Sequence, residues 1–243
     1  MKTLNFKKLT VVLILIAIFL LYILFLILDL DNMYKSNISD KLKYISILLC
    51  FVLSLLIDEY GLNHKDTLLL QLGLLFTTLA DLFFLILDFC ELGVITFCLV
   101  QIIYFMRYLS KNNHYTVIKL ITFIVITTII YLTLSIFSKN IMFLFMVAFI
   151  YTITLIASVI RSIKSCKEKY FPSPNRYMIV VGMMLFMLCD INVGLSYLAS
   201  NSNFHCTFLN KYEATSSFLI WLFYLPSQVL LALSGYDFDK LNT

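Results

Sequence analysis

Two aspartates stand where an acid is costly. Asp81 closes the run Gly73-Leu-Leu-Phe-Thr-Thr-Leu-Ala-Asp81, and Asp190 closes Gly182-Met-Met-Leu-Phe-Met-Leu-Cys-Asp190, both inside stretches apolar enough to cross a bilayer. The other twelve of the fourteen Asp and Glu residues fall in loops, at the termini or within about a turn of a span end. An acid at the centre of a membrane helix costs about 2.5–3.5 kcal/mol on insertion scales, so such residues face protein or a pathway and mark chemistry. The bland alternative is a buried, protonated Asp that bonds a neighbouring helix. Two carboxyls in one low-dielectric site suit acid–base work, one holding its proton and one ionised.

Further polar side chains fall in the same layer. By the rise of about 1.5 Å per residue, Asp81 lies about 10 Å and Asp190 about 14 Å from the outer ends of their spans. On the same scale Gln101 and Tyr104 lie about 13 and 18 Å in, and Tyr224 and Gln228 about 10 and 16 Å in. Lys43 caps the outer end of the second span. The histidines His64, His114 and His205 all lie outside the spans with no ligand spacing, so no metal is expected. There is no Ser-His-Asp pattern, nucleophile elbow or glycine-rich phosphate loop, and no cofactor is expected. Cys189 beside Asp190 lacks a neighbouring base.

The elements that must carry these residues are transmembrane helices. Of 243 residues, 61% are hydrophobic and 13% charged, against about 25% charged in soluble domains. Mean hydropathy is +0.95. This balance excludes a soluble globule, a disordered chain, a nucleic-acid binder and a disulfide-built domain. Eight spans are read, at about 10–28, 43–57, 67–88, 92–109, 117–136, 141–160, 177–199 and 217–234. The chain is expected to be one all-α integral membrane domain over 1–243, with no loop long enough for a soluble domain. With the N-terminus inside, 13 Lys and Arg face inward and 5 outward. That places both termini in the cytoplasm of a multi-pass protein of the cell membrane. The basic inner loop from Arg161 to Arg176 either attracts anionic headgroups or only sets topology. The shared Gly-x7-Asp pattern, four spans apart in the same orientation, suggests a parallel 4+4 repeat. Gly73, Thr77 and Asp81, and likewise Gly182, Phe186, Asp190 and Gly194, follow a four-residue spacing that permits close helix approach. The six cysteines show no CxxC pair and read as buried thiols, with a Cys90–Cys206 bridge as the alternative if both loops face outward.

At these residues the sequence resembles the lysoplasmalogenase, or YhhN-like, family of eight-span membrane proteins. The similar pieces are Gly73-Leu-Leu-Phe-x4-Asp81, Gly93-x3-Phe97-x6-Tyr104, Gly182-x3-Phe186-x3-Asp190 and Tyr224-x3-Gln228, together with Lys43. The chain departs from the family's usual pattern with Lys43-Tyr44 for Lys-Pro, Ala80-Asp81 for Gly-Asp and Cys189-Asp190 for Ser-Asp. Gln101 stands where the family usually has histidine, a change that bears on proton transfer and substrate range. The resemblance implies hydrolysis of the vinyl ether bond of lysoplasmalogens, releasing a fatty aldehyde and a glycerophospho-ethanolamine or -choline. On that reading Asp81 and Asp190 form the catalytic pair. Gln101, Tyr104, Tyr224 and Gln228 orient water and the glycerol backbone, and Lys43 meets the phosphate at the membrane surface. The expected partners are a lysophospholipid substrate and membrane lipids. The alternative is a proton-coupled lipid or small-molecule carrier without hydrolase activity, since paired intramembrane acids and a repeat also suit transport. Against it, Pro226 is the only proline inside a span.

Overall fold

A computed structural model describes residues 2–30, 37–57, 60–109, 114–137, 143–201 and 207–242. Eight long helices follow in order: α1 (Lys2–Leu30), α2 (Asn37–Leu55), α3 (His64–Leu85), α4 (Cys90–Arg107), α5 (His114–Phe137), α6 (Phe143–Lys167), α7 (Asn175–Asn201) and α8 (Thr207–Leu233). A short α9 (Phe238–Asn242) follows them. The protein is an all-helical polytopic bundle. Among the described residues five helices are long and apolar enough to cross a membrane, namely α1, α3, α4, α6 and α7, and α5 and α8 carry shorter apolar cores. In α2, Asp40, Lys41 and Lys43 interrupt the apolar pattern.

The packing order repeats. In the first half α1 packs on α2, α2 on α3 and α3 on α4; in the second α5 packs on α6, α6 on α7 and α7 on α8. The halves join chiefly through α4 on α6 and α8 on α2, with smaller contacts of α8 on α1 and α3, closing a ring of six helices with α1 and α5 on its outside. Side-chain contacts follow the same scheme. A Cβ on Gly73 would sit 2.6 Å from the Tyr104 ring, and one on Gly182 would sit 3.0 Å from Leu231. Tyr104 follows Phe97 by seven residues, as Leu231 follows Tyr224, which aligns Phe97-x3-Gln101 on α4 with Tyr224-x3-Gln228 on α8.

The outward faces are hydrocarbon-like. Along α1, Leu13, Ile16, Phe19 and Leu20 are exposed, and along α5 so are Ile118, Ile121, Ile129 and Ile130. Apolar surface of that extent is compatible with lipid tails rather than water. Helix ends are held by charge. At the α2–α3 end, Arg107 makes a two-pronged pair with Asp66 at 2.7 and 3.1 Å and donates to Ser234 Oγ at 3.0 Å. Asn175 donates to the carbonyls of Ser234 and Tyr236 at 2.9 and 2.6 Å, so α3, α4, α7 and the end of α8 are tied together. Lys7 lies over the Tyr60 ring, and Lys240 donates to the Gly61 carbonyl at this same end. Both described ends of the chain therefore sit at one end of the bundle.

Candidate active site

α3 and α7 bring their aspartates to the same level, toward the end where α3 turns into α4. Asp81 is buried, and its carboxylate accepts from the Tyr224 hydroxyl of α8 at 2.7 Å. Asp190 accepts from the Tyr151 hydroxyl of α6 at 2.5 Å and is only partly covered. Each acid thus has its own phenol, on a different helix. Asp190 lies within electrostatic reach of Asp81, and Cys189, next to Asp190 in the chain, is buried within reach of both.

An aromatic cluster joins the two pairs. Phe97 of α4 packs on Tyr151 at 6.1 Å between centroids, on Tyr224 at 6.3 Å and on Phe186 at 5.9 Å. Phe186 also meets Tyr224 edge-on at 5.6 Å. Aromatic pairs at such separations favour edge-to-face geometry and hold rings in place. The phenols are therefore fixed in position, and the surroundings of the carboxyls are largely apolar. Asp190 is the open side, flanked by exposed Ile191, Val193 and Gly194.

The other residues singled out by sequence divide into two groups. Gln101 is fully buried; its side-chain carbonyl accepts from Ser158 of α6 at 2.7 Å, and it lies beside the Tyr151 hydroxyl. Gln228 is fully buried one turn beyond Tyr224, and neither of its amide atoms has a partner among the described residues. Tyr104 packs on Gly73 and stacks on Tyr108 at 6.1 Å. Lys43 is placed differently from the surface position that its sequence suggests. It is 1% exposed, pairs with the buried Asp29 of α1 at 3.0 Å, and lies over the Trp221 ring at 5.5 Å. Trp221 in turn meets Tyr224 edge-on at 5.1 Å. The lysine braces, through Trp221, the phenol that holds Asp81. A buried cation needs such pairing because its desolvation is costly.

Several functional candidates are not evident from the sequence. Tyr151 and Phe97 look like ordinary span residues until the helices are assembled. Asp29 reads as a helix-end acid, yet it is buried and accepts from Ser39 at 2.8 Å. A legible signal does exist on α6, whose buried face carries Thr154, Ser158, Arg161, Ser162 and Ser165. That polar stripe at helical spacing starts just past Tyr151.

Among the described residues no cluster of His, Cys, Asp and Glu could hold a metal ion. Cys50, Cys98 and Cys189 are buried free thiols and Cys90 is an exposed one; Cys206 lies outside the described residues, so the bridge with Cys90 does too. A cleft of about 310 Å³ lined by Asn63, His64, Thr67 and Gln71 lies at the α2–α3 end, away from the carboxyls.

No curated protein and no solved structure matches the chain. A family model does, over residues 38–235, which takes in α2 to α8 and every residue of the site. The chain belongs to the YhhN family.

Proposed function

We propose that the protein is an integral membrane hydrolase of the vinyl ether bond of lysoplasmalogens, with Asp81 and Asp190 as its acid–base pair. The observation that carries this is the arrangement of two intramembrane carboxyls at one level, each held by a tyrosine hydroxyl and walled by aromatic rings. The similarity of the motifs around these residues to lysoplasmalogenases supports the same reading.

The chemistry needs little else. A carboxylic acid transfers its proton to the β-carbon of the vinyl ether, and the π electrons form the new C–H bond. The α-carbon and ether oxygen become an oxocarbenium ion, which the second carboxylate faces. That carboxylate takes a proton from water as the water oxygen bonds to the α-carbon. The hemiacetal then collapses. Its hydroxyl proton passes to the first carboxylate, and the second carboxyl protonates the leaving glycerol oxygen as the C–O bond breaks. A fatty aldehyde and a free glycerol hydroxyl result, with both groups restored. With Asp190 in electrostatic reach of Asp81, one carboxyl can hold its proton while the other is ionised. The partly open Asp190 side suits a single-chain lipid entering from the bilayer, its tail along the exposed apolar residues of α7.

The test is aldehyde release from lysoplasmalogen by membranes carrying the wild type, Asp81→Asn or Asp190→Asn. General acid–base groups contribute about 10²–10⁴-fold, so each variant is expected to lose about two orders of magnitude or more. Activity near wild type in both would sink the assignment.

The repeated packing of the two halves also favours a carrier, since transporters are often built from such repeats. The two readings separate in detergent solution. An enzyme still releases aldehyde there, whereas a carrier needs a sealed compartment.

A further inference from the structure

The buried cations of the bundle are not equivalent. Lys43 is paired with Asp29, and Arg107 with Asp66. Arg161 of α6 is 6% exposed, and its Nε and Nη2 have no hydrogen-bond partner among the described residues. Burying a guanidinium without an anion is costly, so one left unpaired among the described residues is suited to the anionic group of a ligand.

Its surroundings in the fold point the same way. Eight buried side-chain polar atoms lack partners among the described residues, and they belong to Gln101, Tyr104 and Tyr108 on α4, Arg161 on α6, and Ser227 and Gln228 on α8. Gln101 meets α6 at Ser158, one turn before Arg161, and seven of the eight atoms can donate a hydrogen bond. Arg161 follows Tyr151 by ten residues, about 15 Å along the helix axis. Its side chain tilts back toward the helix N-terminus and hence toward Asp190. A donor-rich region with a guanidinium fork matches a phosphate, whose oxygens accept in parallel.

We propose that Arg161 is the binding residue for the phosphate of a lysophospholipid, holding the headgroup below the carboxyl pair while the glycerol–chain linkage lies between Asp81 and Asp190. The assignment rests on the reading above that a lysophospholipid is the substrate, and it transfers to Arg161 the phosphate contact first expected of Lys43.

Binding can be read without turnover. Trp221 is the single tryptophan and lies against Tyr224, so its fluorescence reports occupancy of the site. The probes are an acyl lysophosphatidylethanolamine, which lacks the vinyl ether, and a monoacylglycerol of the same chain, which lacks the phosphate. The wild type in neutral detergent is expected to bind the phospholipid at least about tenfold more tightly, as charge-assisted bonds to phosphate predict. Arg161→Gln is expected to bring the two within about twofold. Arg161→Lys keeps the charge without the fork and is expected to keep part of the preference; should the glutamine variant not fold, the lysine variant and the wild-type preference carry the test. A wild type without preference, or an Arg161→Gln or Arg161→Lys protein with the full wild-type preference, overturns the proposal. Millimolar inorganic phosphate is expected to leave lipid binding unchanged, and displacement by it overturns the lipid as the source of the phosphate. A wild type that keeps the preference but releases no aldehyde overturns the hydrolase reading and leaves the anion site standing.

Discussion

At Asp81 and Asp190 the decisive contacts are single phenol hydroxyls. Tyr224 and Tyr151 each donate one short bond to a carboxylate inside an apolar shell. A hydrogen bond to a charged group contributes about 1.5–3 kcal/mol. Tyr224→Phe and Tyr151→Phe are therefore each expected to lower kcat by about ten- to a hundredfold while the protein stays folded. Steady-state aldehyde release from purified protein measures this, and unchanged kcat in both variants would remove the phenols from the mechanism. The aspartates themselves are legible from sequence, because an acid in an apolar run is conspicuous at any register. Their phenols are not. Tyr is common near membrane interfaces, and nothing along the chain separates Tyr151 from the other Tyr residues. Gln101 is intermediate: its type and depth mark it, but only the packing of α4 on α6 shows that it accepts from Ser158.

On the scale of a helix, α8 shows how one local defect is used. Pro226 lies inside it and has no N–H, which leaves the Leu222 carbonyl one turn back without its helical donor. Tyr22 of α1 supplies that donor at 3.0 Å. Tyr22→Phe is expected to destabilise by about 0.6–1 kcal/mol in the wild type. In a Pro226→Ala background, where the helix donor is restored, the cost should be close to zero. Unfolding of the four proteins in detergent forms the cycle, and equal costs in both backgrounds would refute the coupling. The glycines make a second contrast. A Cβ at Gly73 would press into the Tyr104 ring, whereas one at Gly194 meets nothing within 4 Å. Gly73→Ala is expected to lower thermal stability and displace Tyr104. Gly194→Ala is expected to raise stability by up to about 1 kcal/mol through helix propensity. Their equal four-residue spacing in the sequence does not distinguish the two roles.

For the whole molecule the closed ring and the shared end of α1's start and α9 make orientation a testable property. The Lys and Arg bias predicts cytoplasmic termini, and the α3–α4 turn with its exposed Cys90 then faces outward. In a variant keeping Cys90 as its only cysteine, a membrane-impermeant maleimide is expected to label intact cells fully. A reporter fused at the C-terminus should be active in the cytoplasm. Labelling of Cys90 only after lysis would reverse the topology.

Composition and spacing alone determine that this chain is a helical membrane protein, roughly where its helices run, and that Asp81 and Asp190 are its exceptional residues. Those properties follow from the bilayer as solvent: it demands long apolar helices and makes each internal acid costly, so both leave a one-dimensional trace. Only the tertiary structure decides which phenol holds which carboxylate, that Lys43 answers Asp29 rather than solvent, and that Arg161 is buried with donors unpaired among the described residues. These depend on which helix faces which, and at what angle about its axis. Nearly every face of these helices is apolar, so their hydrophobic pattern does not encode that rotation.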